Sequence, residues 1–160
     1  MARRNSVSLV RDVGVDPRFQ SETIQKFINV IMWRGKKNVA RKIMYESMDM
    51  LLKKTSGDTV KALEMFNKAI EQVKPVVEVK GRRVGGSVYQ VPIEVAPNRG
   101  RALALRWLIA AAVARSDKTM GIRLGYELIE AAEGRGNAVK KKLDMHKMAE
   151  SNRAFSHFSW

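Results

Sequence analysis

The sequence predicts a mainly α-helical, compact domain of six helices from which one β-hairpin protrudes. Apolar residues recur at steps of three and four in six separate segments, which places them on one face of a helix. Between the third and fourth segments, residues 76–95 instead contain β-rich runs around a glycine-rich centre, the pattern of a hairpin. A hydrophobic content of 45% supplies the apolar surface that a core needs.

The three helices before the hairpin are bounded by residues typical of helix ends. Ser21 and Asp58 are candidate N-caps of the first and third helices. Gly35 is expected to end the first helix, Ser56-Gly57 the second and Pro75 the third. The residues expected to be buried on these helices are Ile24, Phe27, Ile28 and Ile31; Val39, Ile43, Ser47, Met48, Leu51 and Leu52; and Ala62, Leu63, Phe66, Ala69, Ile70 and Val73.

The three later helices follow the same spacing. The fourth begins after Pro97, the fifth runs from about Thr119 to Glu133, and Asn137 is a candidate cap of the sixth. Gly121 and Gly125 each cost the fifth helix about 1 kcal/mol relative to alanine, so close packing is their expected reason. The residues expected to be buried are Leu103, Ala104, Trp107, Leu108, Ala111 and Ala112; Met120, Leu124, Leu128, Ile129 and Ala132; and Val139, Leu143 and His146.

The hairpin is predicted from two runs, 76–79 and 87–95, around a cationic centre. Pro92 cannot donate to a ladder, which confines its strand to an edge or to a projecting ribbon. The base, near Val79 and Val91, is expected to pack on the helical body. A two-stranded ribbon is marginally stable alone, so its cations indicate a surface that an anion orders; a solvated hairpin with incidental charge is the alternative. The expected contact residues of its tip are Val84, Gly85, Gly86, Ser87 and Tyr89.

The two ends of the chain are predicted to differ from this body. Residues 1–18 are expected to form a basic, partly extended arm, residues 19–153 the helical domain with its hairpin, and residues 154–160 an aromatic tail. The tail is either a packing strap or a base-stacking surface, and packing is favoured because aromatic side chains bury more often than they stack on bases. No apolar run has the length of a signal peptide or a membrane span, so a cytosolic protein without a membrane partner is expected.

Composition points to a polyanionic partner and away from catalysis. Thirty Lys and Arg against 16 Asp and Glu give a net charge of +14. The absence of cysteine excludes disulfides and thiolate zinc sites. His146 and Glu150 form the only helical pair that could bind a metal, and such pairs are more often surface contacts. No GxSxG, HExxH, Walker or Rossmann motif occurs, so the sequence predicts neither an enzyme nor a cofactor.

Cations recur beside the turns of this otherwise regularly patterned chain. Their repetition indicates a large polyanion that covers much of the surface. No DNA-reading motif is present, which favours RNA recognised by shape and phosphate contacts. The predicted RNA-binding cations are Arg3, Arg4, Arg34, Lys36, Lys37, Arg41, Lys80, Arg82, Arg83, Arg99, Arg101, Arg106, Arg115, Lys118, Lys140, Lys141 and Lys142.

Several motifs along the whole chain carry a specific resemblance. They are Asp16-Pro17, Gly35-Lys36-Lys37, Ile43-Met44, Val77-Glu78-Val79, Arg82-Arg83-Val84-Gly85-Gly86, Tyr89-Gln90-Val91-Pro92, Arg106-Trp107, Asp117-Lys118, Ala138-Val139-Lys140-Lys141 and His146-Lys147-Met148-Ala149-Glu150. In these motifs the sequence resembles small-subunit ribosomal protein seven of bacterial type. It departs from that pattern in carrying Gly121 and Gly125 where alanines are usual, and in a less densely basic arm.

The resemblance implies a structural constituent of the small ribosomal subunit. Such a protein binds the 3′ major domain of 16S-type rRNA, nucleates assembly of the head and places its hairpin near the exit site of tRNA and mRNA. It contacts neighbouring small-subunit proteins and, in some bacteria, binds its own operon mRNA. The implied location is a cytoplasmic ribosome or an organellar one. The alternative is a free-standing RNA-binding translational regulator.

Overall fold

Six α-helices and one two-stranded sheet form the part of the protein that its computed structural model describes, residues 12–158. The helices are α1 (Glu22–Ile31), α2 (Lys37–Lys54), α3 (Thr59–Val73), α4 (Pro97–Val113), α5 (Met120–Ala132) and α6 (Asn137–Ser151). Antiparallel strands β1 (Val77–Val84) and β2 (Ser87–Glu94) lie between α3 and α4, and a 3₁₀ helix (Arg153–Phe158) follows α6. The predicted mainly α fold with a β-hairpin is confirmed.

The predicted caps of the first and third helices are in place. The Ser21 hydroxyl accepts a hydrogen bond from the backbone N–H of Ile24, and the Asp58 carboxylate accepts from Val60 and Lys61 at 3.0 and 3.2 Å. Each of these bonds satisfies an amide that the first turn of a helix leaves without a partner. Local sequence therefore fixes where α1 and α3 begin.

The first helix ends at Ile31, so the prediction that it continues to Gly35 is wrong. Met32 is already extended, and Arg34 and Gly35 both have positive φ, 51° and 74°. The backbone N–H of Lys36 donates to the carbonyl of Trp33 at 3.0 Å. Together these features make a tight turn of the I′ type between α1 and α2.

The predicted cap of the sixth helix is also wrong. Asn137 is the first helical residue, and Gly136 precedes it without a side-chain hydrogen bond. The backbone N–H of Ala138 donates instead to the carboxylate of Glu127, at 2.8 Å. The buried Glu127 side chain of α5 therefore caps the start of α6, and this hydrogen bond joins the two helices.

Helix α5 lies at the centre of the helical body, where it contacts α2, α3, α4 and α6. The rings of Phe27 and Phe66 stack with their centroids 5.9 Å apart, and both are fully buried. Burying one such side chain contributes about 1.5 to 3 kcal/mol. The core around them includes Ile24, Ile28, Met44, Met48, Leu51, Val73, Leu108, Leu124 and Leu128.

Some of the residues expected in the core lie outside it. Val39 and Leu143 are 55% and 58% exposed. Trp107 is half-buried against the core, and Leu103 is half-buried. Leu105, which the predicted stripe of the fourth helix leaves out, is buried instead. The other expected apolar positions of the first three helices and of α5 are buried or half-buried.

The two glycines of α5 lie where this helix approaches α2. A side chain at Gly121 would bring its Cβ within 2.6 Å of the Cβ of Glu46. At Gly125 the nearest atom would be the sulfur of Met50, at 2.5 Å. The Cβ of Glu46 moves only with its backbone, whereas the flexible end of Met50 can shift. Close packing accounts for both glycines, as predicted. The requirement for glycine is stronger at Gly121, where the clashing atom cannot move away.

The first strand of the hairpin is longer than the run 76–79 that the sequence pattern predicts. Val84 pairs with Ser87, and only Gly85 and Gly86, with φ of 56° and 88°, form the turn. Two positive φ values match the I′ turn that joins right-twisted strands through two residues. Residues 80–84 are therefore paired strand, so most of the cationic centre between the two predicted runs belongs to β1.

The base of the hairpin packs on the helices. Val91 is fully buried and Val79 is half-buried, as predicted. Helix α6 contacts both strands, and the 3₁₀ helix contacts β2. In that contact the rings of Tyr89 and Phe155 lie with their centroids 5.1 Å apart. Phe155 therefore packs as a strap on the ribbon, the outcome favoured for the tail; Ser159 and Trp160 lie outside the described residues.

Candidate nucleic-acid interface

The turn between α1 and α2 presents the first group of predicted cations. Arg34 and Lys36 are exposed, Lys37 is half-buried, and Trp33 stands beside them. A left-handed conformation at a non-glycine residue such as Arg34 costs about 1 to 2 kcal/mol. Such strain is characteristic of functional sites. The exposed cations that this conformation presents make the turn part of the candidate interface.

The start of α2 continues that surface. Lys36 precedes the helix without a side-chain cap, and the first turn contains no acidic residue. Exposed amides at a helix start favour anions. Arg41, one turn further on, is half-buried; its Nε has no hydrogen-bond partner among the described residues. Arg41 lines a groove of about 830 Å³ between α2 and α5, which Lys42 and Lys53 line together with the acidic Glu46 and Asp49.

A second groove brings Arg101 of α4 next to α1. This groove of about 420 Å³ is also lined by Lys26, Asn29 and Asn98. Lys26 pairs with Glu22 one turn earlier, with its Nζ 2.5 Å from the carboxylate. Sequence reasoning missed Lys26 because a single helical lysine with an acidic neighbour forms no cluster along the chain. Only the packing of α1 on α4 joins it to Arg101.

The cations of the hairpin divide between its two faces. Residues that pair across a ladder point to the same side of the sheet. Arg82 pairs with Tyr89 and Arg83 with Val88. Arg82 is therefore half-buried on the strapped side, whereas Arg83 extends from the opposite, exposed side. The two neighbouring arginines cannot contact one flat anionic surface in the same way.

Lys80 and Arg99 both pair with a buried carboxylate at the hairpin base. The Arg99 guanidinium donates to both oxygens of Glu78, at 2.9 and 3.0 Å, and the Lys80 Nζ lies 3.3 Å from the same group. The hydrogen bonds from Arg99 hold the pKa of Glu78 below its usual range, against the opposing effect of burial. Arg99 therefore ties α4 to β1, whereas Lys80 pairs with Glu78 within β1 itself; both cations also contribute positive charge.

Helix α6 presents another cationic group beside the hairpin. Lys140 and Lys141 are exposed, and the Nζ of Lys142 donates to the carbonyl of Gln72 at 2.8 Å. Burial, with the nearby charge of Lys142, lowers the pKa of His146. The imidazole is therefore neutral at pH 7, and its Nε2 accepts a hydrogen bond from the backbone N–H of Val76 at 3.2 Å.

Arg115 is more buried than the exposed cations of the predicted interface. Its side chain is 17% exposed, and its Nε donates to the fully buried Glu127 at 2.8 Å. Its terminal nitrogens donate to Glu130. Since its donors are engaged inside the protein, we leave Arg115 out of the proposed interface and assign it a structural role.

The remaining predicted cations lie in two places. Arg106, in the middle of α4, and Lys118, just before α5, are both exposed. Arg3 and Arg4 lie outside the described residues. From Asp16 onward the predicted arm is docked: the buried Asp16 accepts from Tyr45 at 2.8 Å and from the N–H of Phe19 at 3.0 Å.

Residues 12–158 contain neither a candidate metal site nor a candidate membrane span. That part of the chain contains no group of three or more His, Asp or Glu side chains placed to hold a metal ion. Its helices include none with both the length and the apolar character needed to cross a membrane.

Comparison with known proteins identifies a family that covers almost the whole chain. A family model described as ribosomal protein S7p/S5e matches residues 2–153. The chain belongs to this family. The resemblance found in the sequence motifs is thereby confirmed, and the chain stands among the RNA-binding ribosomal proteins of the small subunit, a structural class and not an enzyme class.

Relatives from several bacteria are similar over their full lengths. Proteins of Blochmanniella floridana and Methylococcus capsulatus are 51% and 54% identical over 160 residues, which is all of both chains. A protein of Campylobacter hominis is 53% identical over 98% of this chain and 99% of its own. All three are named small ribosomal subunit protein uS7.

Proposed function

We propose that this member of the S7p/S5e family binds the 3′ major domain of 16S-type rRNA and nucleates assembly of the head of the small subunit. Family membership along residues 2–153 is the observation that carries the proposal. The surface supports it, because exposed cations extend from the α1–α2 turn through the α1–α4 groove to the hairpin and α6. The names of the bacterial relatives favour a cytoplasmic ribosome.

The hairpin is proposed to reach the exit site of tRNA and mRNA. Its tip is thin, since a two-residue glycine turn ends a two-stranded ribbon, and Val88 and Arg83 are exposed near it. The base is held separately, by Glu78 with Arg99 and by buried Val91. Because these contacts hold the base of the hairpin on the helices, the tip can extend away from the body. Contacts with neighbouring small-subunit proteins and with the operon mRNA belong to the same proposal.

Replacing both Lys36 and Lys37 with alanine should weaken binding to the 3′ major domain. The slope of log affinity against log salt should also fall by roughly one unit for each phosphate that is no longer neutralised, because fewer counterions are released on binding. Filter binding over a salt series measures both quantities. The matched control replaces Lys61 and Lys68, exposed on α3 and outside every predicted cluster, and should leave the slope unchanged. Equal slopes for the two double variants would remove the α1–α2 turn from the interface.

Removing residues 84–87 should leave folding and most rRNA affinity intact. A ribbon tip contributes little core, and these four residues carry no cation. Subunits that contain the shortened protein should instead show altered frame maintenance or tRNA release, measured with a frameshift reporter after head assembly has been checked by footprinting. Val88→Ser keeps the ribbon length and serves as the control. A defect in assembly with unchanged decoding would make the hairpin an RNA anchor only.

A free-standing regulator of translation is the alternative to a subunit component. The two differ in where the protein resides at steady state. Sedimentation of a cell extract should place the chain with small subunits, and a pool that stays at the top of the gradient would favour the regulator.

A further inference from the structure

Trp33 is the most exposed large apolar side chain among residues 12–157, at 77%. None of the aromatic pairs or cation–π contacts in that part of the chain includes it. Its core neighbours in α1 are fully buried, so the packing of α1 does not require an indole at this position. An indole left facing water within a folded domain is characteristic of a contact surface.

The backbone around Trp33 is fixed. Its carbonyl accepts from the N–H of Lys36 at 3.0 Å, and the carbonyl of Gly35 accepts from the N–H of Lys37 at 2.8 Å. These bonds close the turn on both sides of its tip. The turn therefore holds the indole outward at a set place, which reduces the ordering cost of a contact.

The charge around Trp33 indicates what the contact is. No acidic residue occurs between Glu22 and Glu46, and the cations in that interval are Lys26, Arg34, Lys36, Lys37, Arg41 and Lys42. A protein partner that covers an apolar patch would have to bury or pair these charges. A nucleic acid pairs them with its phosphates and offers a base to the indole.

We propose that Trp33 stacks on an unpaired base of the bound RNA while Arg34 and Lys36 hold the flanking phosphates. Bases within a helix already stack on one another, so the free face must come from a loop, bulge or junction. The inference rests on the proposed rRNA binding and adds to it a fixed point at which the protein recognises unpaired RNA.

Affinity measurements on three variants test the proposal. Trp33→Leu keeps an apolar side chain but removes the ring, and it should weaken binding to the 3′ major domain RNA about five- to a hundredfold. Trp33→Phe should restore most of that affinity. Because no phosphate contact changes, the salt slope of Trp33→Leu should equal that of the unaltered chain, whereas Lys36→Ala should lower it.

A spectroscopic test leaves Trp33 in place. In a chain with Trp107→Phe and Trp160→Phe, Trp33 is the only tryptophan, and its fluorescence should be strongly quenched by the 3′ major domain RNA. Undiminished affinity of Trp33→Leu, or unquenched emission while the RNA is bound, overturns stacking and leaves the proposed function standing. Loss of binding to a second small-subunit protein, with RNA affinity unchanged, would assign Trp33 to a protein contact and also overturn it. Failure of the unaltered chain to bind the RNA would remove the proposed function itself.

Discussion

Replacing Arg115 with alanine should lower the free energy of unfolding by about 3 to 5 kcal/mol, because it leaves a buried carboxylate without its partner. Glu127 is fully buried and receives Arg115 Nε at 2.8 Å. Water cannot replace the missing charge there. The same carboxylate accepts from the first turn of α6, so the substitution should also loosen the junction of α5 and α6.

Urea denaturation measures this effect, with Lys118→Ala as a matched control. Lys118 is an exposed cation close to Arg115 in the chain, and its removal should change stability by less than about 0.5 kcal/mol. Adding Glu127→Gln to Arg115→Ala should recover part of the stability, since the amide is neutral and its oxygen still accepts from Ala138. A cost below about 1 kcal/mol, accompanied by weaker RNA binding, would return Arg115 to the interface.

Phe66→Ala should cost about 3 to 5 kcal/mol as well, through the cavity left in the core. Phe66 is fully buried and stacks on Phe27, 5.9 Å away between ring centroids. Trp107→Ala should cost less, since that side chain is only half-buried. Equilibrium unfolding of the two variants gives the comparison, and a larger cost at Trp107 would contradict the assigned orientation of α4.

Helix positions were predictable because local chemistry determines them. Steps of three and four define the buried face of α1, and the side chains of Ser21 and Asp58 begin their helices wherever the rest of the chain lies. The prediction fails at Val39 and Leu143, which lie on the lysine-rich helices α2 and α6. The spacing of apolar residues locates the apolar face of a helix. How much of that face is buried depends on the neighbouring helices that pack against it.

The structural role of Arg115 could not be predicted from its position. Glu127 is twelve positions further along the chain and on the next helix, so no helical period links the two residues, and the packing of α4 on α5 brings them together. Charge clusters along the chain found the α1–α2 turn, where the cations are adjacent. Charge clusters could not distinguish a cation on an exposed, RNA-binding surface from a cation that pairs with a buried carboxylate. That distinction requires knowing which residue each cation contacts in the folded protein.

Chemical footprinting of the full chain on 16S-type rRNA tests the central claim most directly. We expect protection confined to the 3′ major domain, including unpaired nucleotides. The variant that lacks Lys36 and Lys37 should weaken that protection, and the variant with altered Lys61 and Lys68 should retain it. Protection in another domain, or none by the folded protein at low salt, would contradict the proposed role in head assembly.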